Sequence, residues 1–366
     1  MMSENDIGFC WKTAAMNRRK TAMFKAGLDT LYYSGAHRAL APITGGVGIV
    51  FTLHNVVPGD PPAFAPNRIL TVTPEFLEAV VIRIRAAGLD LVGLDEAHAR
   101  LTGQGSDRRF ACLTFDDGYR DNLDHAYPVL KRHDVPMAIY VATCMPDGTA
   151  ELWWLALEYA IAGSDRIEVP AGEGTETFEC DTVERKYAAY ETIYWRLRGM
   201  DEEAKRAIAR GIAARAGIDM PAVVRDLSMT WEEIAWLAGD PLVTIGAHSV
   251  THPALSRLTD AQVEFEMAES RRLIGEHTRI RPRHFAYPYG DPTSAGPRDF
   301  ALAARLGFAT AVTTRPGVLF PEHGEHLTAL PRVSLNGDYQ SLRYLDLFLT
   351  GAPFALFNRF RKVDAA

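Results

Sequence analysis

The chain has 366 residues, 47% of them apolar and 23% charged, with a formal net charge of −7. That is globular composition with room for one large domain or two ordinary ones, and the lack of a broad basic field argues against a nucleic-acid partner. The opening MMSENDIGFCWKTAAMNRRK carries early acids and no apolar h-region, so it does not read as a secretory signal, and no stretch reaches the ~18 apolar residues of a membrane span. Four widely spaced cysteines (Cys10, Cys112, Cys144, Cys180) form no CxxC and read as reduced core thiols. These features predict a cytoplasmic protein.

Residues 1–45 read as a helical extension. GGVGIVFTLHNVV, residues 45–57, is the first buried strand, with His54 at its end. Thr73 as N-cap, Pro74 at the first helical position and Gly88 as stop predict a helix between them. The strands LDLVGL and RFACLTF follow, the second closed by an Asp-Gly turn. DNLDHAYPVLKRHD has a helical pattern and VPMAIYVAT reads as another strand. The alternation breaks over about 145–228, a mainly helical insertion opened by Trp153 and Trp154. Exposed, these tryptophans would stack on sugar rings; buried, they are core, and core is the expectation for at least one. After the insertion, Thr230 with Glu233 and Thr259 with Gln262 form two capping boxes around the strand PLVTIGAH. Strands near HFAYPY, FATAVTT and LPRVSL close the series.

Seven or eight buried strands separated by helices predict a parallel sheet or barrel over 46–340. The pattern alone does not distinguish an open sheet from a closed barrel. Residues 341–366 form an amphipathic tail with Phe and Leu followed by Arg and Lys. It reads either as a helix packed on its own domain or as a peripheral contact with a membrane surface.

Three stretches carry chemistry. In LTFDDGYRDN, the acids Asp116 and Asp117 end a buried strand. They fit a solvated turn, or a site at the C-terminal mouth of a parallel sheet. In GAHSVTHP, His248 and His252 stand four apart just past a strand. Neutral imidazoles with one carboxylate hold zinc and its neighbours and leave positions open for water and substrate; the plainer reading is two polar loop histidines. In FAYPYG, Pro288 and Gly290 set a tight turn whose backbone N–H can face an oxyanion. Alone this last signal is an ordinary turn.

TFDDGY, HSVTHP and the PYG turn, in that order, resemble the polysaccharide deacetylases, the NodB-homology domain of carbohydrate esterase family four. The resemblance covers about residues 48–335. It implies an α/β fold, a distorted (β/α)7 barrel here carrying the helical insertion, and metal-dependent removal of acetyl groups from sugars. By the same resemblance Asp117, His248 and His252 are the metal ligands, with zinc expected first and cobalt or nickel as alternatives. Asp116 is the general base, and the Tyr289 N–H helps hold the oxyanion. His54, Tyr119 and Pro288 are expected to bind substrate.

The chain departs from the family pattern twice. The arginine of the RxPYG form is replaced by Ala286, and Arg332 of LPRVSL is the candidate to supply the guanidinium. The late Leu-x-His motif has no histidine, only Val333 and Leu335 around Arg332. His323 and His326 lie nearby and read as loop residues, so the general acid is left open, with protonated Asp116 as one donor. The expected substrate is an N-acetylated glycan or glycolipid, reached from the inner membrane face. The competing readings are a related C–N hydrolase acting on a small amide or ureide, and a non-catalytic glycan-binding relative.

Overall fold

A computed structural model describes residues 18–172 and 174–365; Cys10 and most of the opening segment lie outside them. Eight strands form one parallel sheet: β1 (Gly48–Leu53), β2 (Asp90–Leu91), β3 (Phe110–Asp117), β4 (Met137–Val141), β5 (Val243–Ala247), β6 (His284–Ala286), β7 (Thr310–Pro316) and β8 (Leu330–Ser334). Their order is β1-β8-β7-β6-β5-β4-β3, and β3 pairs back onto β1 from Gly48↔Phe110 to Leu53↔Phe115. Seven strands therefore close into a barrel. The short β2 pairs with the first residues of β3, and β4 takes over the same edge from Leu113 onward.

Closure buries most residues on both faces of the barrel strands, which is why segments such as β1 and β4 are near-continuous apolar runs rather than alternating. Ile49, Phe51, Leu113, Phe115 and Ile139 face outward against the helices. Phe110, Cys112, Tyr140, Val312 and Leu330 fill the barrel. Gly246 is required here, because a Cβ would collide with the Tyr140 ring.

The helices are α1 (Arg18–Tyr33), α2 (Ala36–Thr44), α3 (Pro74–Ala86), α4 (Leu94–Leu101), α5 (Tyr127–Arg132), α6 (Trp153–Ala162), α7 (Val183–Arg198), α8 (Glu202–Arg215), α9 (Met220–Leu227), α10 (Trp231–Ala238), α11 (Asp260–Thr278), α12 (Pro297–Arg305), α13 (Leu342–Thr350) and α14 (Ala352–Phe357). Thr73 caps α3 by accepting from Phe76 N–H, and the capping boxes of α10 and α11 both form. The insertion holds α6 to α9 and an antiparallel pair, 166–171 with 174–179, around its own apolar cluster. The apolar face of α13 (Leu345, Leu347, Phe348) is buried in the main core with Phe354 of α14. The tail is thus bound to the barrel along that face. Cys112, Cys144 and Cys180 are buried free thiols. Among the described residues no helix is long and apolar enough to cross a membrane.

Candidate active site

The barrel mouth gathers residues that lie far apart in the sequence. Along β3 the side chains of Cys112, Thr114 and Asp116 follow the inward set, so Asp116 stands at the top of the interior. Ordinary alternation would turn Asp117 outward. Instead Asp117 adopts φ 79°, in the left-handed region, and Gly118 follows at φ 93°. Both carboxylates are consequently buried, at 2% and 4% exposure. A left-handed non-glycine residue costs of order 1–3 kcal/mol and is held only where its surroundings fix it. Ser249, His252 and Tyr289, also at the mouth, share this conformation.

Asp117 Oδ1 lies 3.4 Å from His248 Nε2 and 3.2 Å from His252 Nε2. One ligand atom from each of the three residues falls within 4.8 Å of the others. His248 Nδ1 is 2.7 Å from the carbonyl oxygen of Ala286. That carbonyl can only accept, so Nδ1 carries the proton, and in the neutral ring the Nε2 lone pair faces the carboxylate. Asp117 Oδ1 has no hydrogen-bond partner. A buried carboxylate oxygen opposed to an imidazole lone pair is an unfavourable arrangement that a cation between them reverses. The donor set fits a divalent metal, with Ala286 supplying the outer contact that orients a ligating imidazole. The carboxylates hold His248 above the usual imidazole value against the effect of its burial, whereas burial carries His252 below it.

Asp116 is held differently. Arg332 Nη1 and Nη2 donate to its two oxygens at 2.7 and 2.6 Å. Arg332 Nε donates to Thr313 O at 2.9 Å, and Nη1 also reaches Thr114 Oγ1 at 3.1 Å. The guanidinium is 1% exposed. Burial pushes the Asp116 carboxyl up, and the Arg332 charge and its hydrogen bonds outweigh that, leaving it below the usual carboxylate range. Asp117 is held further down, its burial outweighed by the two histidines.

The loops bearing these groups are tied down. Glu266 on α11 accepts from the N–H groups of Val250 and Thr251 at 2.7 and 2.9 Å. Arg206 of the insertion donates to Thr251 O at 2.8 Å. In the PYG turn, Gly290 N–H donates to Pro288 O at 2.7 Å, Thr314 Oγ1 donates to Tyr289 O at 2.6 Å, and Thr314 N–H donates to Gly290 O at 2.9 Å. Arg198 stacks 4.1 Å from the Tyr289 ring centroid and donates to Asp291 at 3.0 Å. Glu266 carries a sequence signal, an acid in the apolar stripe of Val263, Met267 and Ile274. Arg198 and Arg206 carry none, since only the tertiary fold brings the insertion to these loops.

Asp116, Asp117, His248, His252, Tyr289, Arg332 and His54 all line one cavity at the mouth. His54 is half-buried there, and burial lowers its pKa below the usual imidazole value. Two expected substrate contacts stand elsewhere. Tyr119 is 2% exposed and packs in the apolar cluster of the insertion. Pro288 is buried behind the wall, where it shapes the turn. Trp153 and Trp154 are both buried; Trp154 still contributes to the wall, 5.6 Å from the His252 ring. Trp153 Nε1 donates to Tyr289 Oη at 2.9 Å. His323 and His326 lie before β8, at the end of the strand away from the mouth, and do not line the cavity.

A profile of the polysaccharide deacetylase family matches residues 103–169 and 200–310. The chain belongs to the polysaccharide deacetylase family. The break in the match falls within the insertion, and the match ends before β8, so it includes both acids, both histidines and Tyr289 but not Arg332. The deacetylase superposes on the Streptococcus pyogenes deacetylase PplD in complex with acetate at a TM-score of 0.53, with 17% identity, over 82% of this chain and 97% of that one. IcaB from Ammonifex degensii gives a TM-score of 0.53 with 18% identity, over 84% and 98%. A de-N-acetylase from Aggregatibacter actinomycetemcomitans gives 0.51 with 13% identity, over 82% and 99%. At these identities the likeness establishes the shared (β/α)7 barrel. A comparison with curated protein sequences returns no match. Family membership makes the protein a hydrolase that deacetylates a glycan.

Proposed function

We propose that the protein removes the acetyl group from an N-acetylated sugar of a glycan or glycolipid, with Asp117, His248 and His252 holding a divalent metal and Asp116 acting as the base. The observation that carries this reading is the division of labour between two adjacent acids. One carboxylate faces the Nε2 atoms of two imidazoles, and the other is gripped through both oxygens by a buried arginine. Zinc, or cobalt or nickel in its place, would polarise the acetyl carbonyl and acidify the attacking water.

The remaining roles belong to the protein. Asp116, ionised because Arg332 lowers its pKa, takes the proton of the attacking water and delivers it to the leaving amine. Arg332 replaces the arginine missing at Ala286 and fixes the carboxylate plane. The N–H of Tyr289, on a turn pinned by Thr314, is directed at the developing oxyanion. His54 contacts the sugar. Leu356 and Phe360 are exposed beside Arg359, Arg361 and Lys362, a combination suited to peripheral contact with an anionic membrane surface.

The test is acetate release from N-acetylglucosamine oligosaccharides and glycolipids by protein stripped with chelator and refilled with zinc, cobalt or nickel. Activity should vanish on stripping and return on refilling. Release indifferent to metal would overturn the proposal. Ammonia from a small-amide panel, without acetate, would favour the alternative C–N hydrolase, and metal and glycan binding without any turnover would favour the silent binder.

A further inference from the structure

The cavity at the mouth extends well beyond the reacting groups. From the metal-ligand set it continues past the ends of β7 and β8 to the inner side of the C-terminal helices, reaching Ile69, Leu70, Tyr339, Phe348 and Phe354. β8 and its continuation lay out this wall in chain order. Arg332 grips Asp116; Ser334 and Asn336 follow, linked by a 3.1 Å hydrogen bond. Tyr339 and Phe348 come next, their ring centroids 6.4 Å apart, and Phe348 lies 5.4 Å from Phe354. Polar groups that suit sugar hydroxyls therefore stand between the site of cleavage and an aromatic and aliphatic end.

At the far end Tyr339, Phe348 and Phe354 belong to the buried core and edge onto the cavity. Ile69 and Leu70 are only partly buried. The whole cavity, reacting groups included, measures about 190 Å³. Among the described residues, and apart from the histidines, the lining has one cationic side chain, Arg332, and that guanidinium is engaged by Asp116, Thr114 and Thr313. No other described residue of the wall would neutralise a phosphate, which disfavours a nucleotide-linked sugar.

We infer that the substrate carries an apolar chain on its aglycone side, and that this chain lies against Ile69, Leu70, Phe348 and Phe354 while the N-acetyl sugar sits at Ser334 and Asn336. The inference rests on the proposed deacetylation and narrows its substrate to glycolipids. A chain on the scissile acyl group fits less well, because the polar stretch at Ser334 and Asn336 separates the reacting groups from the apolar wall.

The experiment compares kcat/KM for acetate release from the methyl, butyl and octyl β-glycosides of N-acetylglucosamine, all below micelle-forming concentration. N-acetyl, N-butyryl and N-octanoyl glucosamine form the second arm, monitored by release of the free amine. Each methylene taken into the wall should raise kcat/KM by roughly three- to fourfold, giving a steep climb across the glycoside series. The Leu70→Asp variant should flatten that climb. A flat glycoside series with acetate still released would overturn the inference, and a climb confined to the N-acyl arm would place the chain on the other side and also overturn it. Should no substrate release acetate, the deacetylation reading fails separately. The chain site is then read by calorimetry of octyl β-glucoside against methyl β-glucoside on metal-free protein. Binding of the octyl compound alone, weakened by Leu70→Asp, supports the site, and equal or absent binding of both overturns it.

Discussion

Replacing Arg332 by methionine removes the cation that grips Asp116 through both oxygens, and the consequence is best read in the pH profile. Asp116 is buried, and its burial alone pushes the carboxyl above the ordinary range; Arg332 reverses the sign. Two unit charges in contact at an effective dielectric of ~20 attract by ~4 kcal/mol, a stabilisation of the ionised base that the substitution removes. A base works only when deprotonated, so activity lies on the alkaline side of its pKa. The acid limb of kcat/KM should therefore move to distinctly higher pH in Arg332→Met. It should move less in Arg332→Lys, which keeps the charge but loses the two-pronged contact. Activity recovered at higher pH separates this effect from misfolding, and the assay is acetate release over a pH series with metal kept saturating. An acid limb left at its wild-type position would refute the assignment of Arg332 as the group that tunes the base.

Three further outcomes follow from the same geometry. Saturating divalent metal at ~100 times its Kd should stabilise the wild type by ~2.7 kcal/mol, and Asp117→Asn should lose most of that thermal shift. Gly290 has φ +62°, and a Cβ there would meet Thr314 N at 2.7 Å; Gly290→Ala should cost ~1–3 kcal/mol in urea melts and depress kcat by disturbing the Tyr289 N–H. Burial pushes the Asp121 carboxyl up to about 7, well above its unfolded value of ~3.9. Its contribution to stability is therefore complete below pH ~4 and lost as pH rises towards 7. Asp121→Asn, which keeps an acceptor for Val56 N–H, should be more stable than wild type by up to a few kcal/mol at pH 8, with the gap closing below pH ~4.

The barrel strands were legible because closure buries both faces and leaves apolar runs such as RFACLTF. Closure was not legible in the strand pattern, since the β1–β3 and β1–β8 pairings join segments with no local signature; it followed from the resemblance of the three motifs, and the barrel has it. The antiparallel pair in the insertion went unread: Ile167 and Val169 are buried between exposed Arg166, Glu168 and Pro170, and the second strand is mostly polar. The two acids and two histidines announce themselves in short motifs, and the fold brings them to one mouth. Arg332 was visible only as a charge in a buried strand; its inward register beside Thr114 and Asp116 required the barrel. Tyr119 shows the opposite failure. It adjoins the acid pair in sequence, but the left-handed turn at Asp117 and Gly118 redirects the chain, and its ring joins the core of the insertion.

The central claim is that Asp117 belongs to the metal and Asp116 to the proton. The most direct measurement is a paired one on Asp116→Asn, metal affinity by calorimetry and acetate release from an N-acetylglucosamine substrate on the same preparation. The account predicts metal affinity within a few-fold of wild type and kcat lowered by the ~10²–10⁴ typical of a lost general base. Retained turnover, or loss of the metal together with activity, would contradict it.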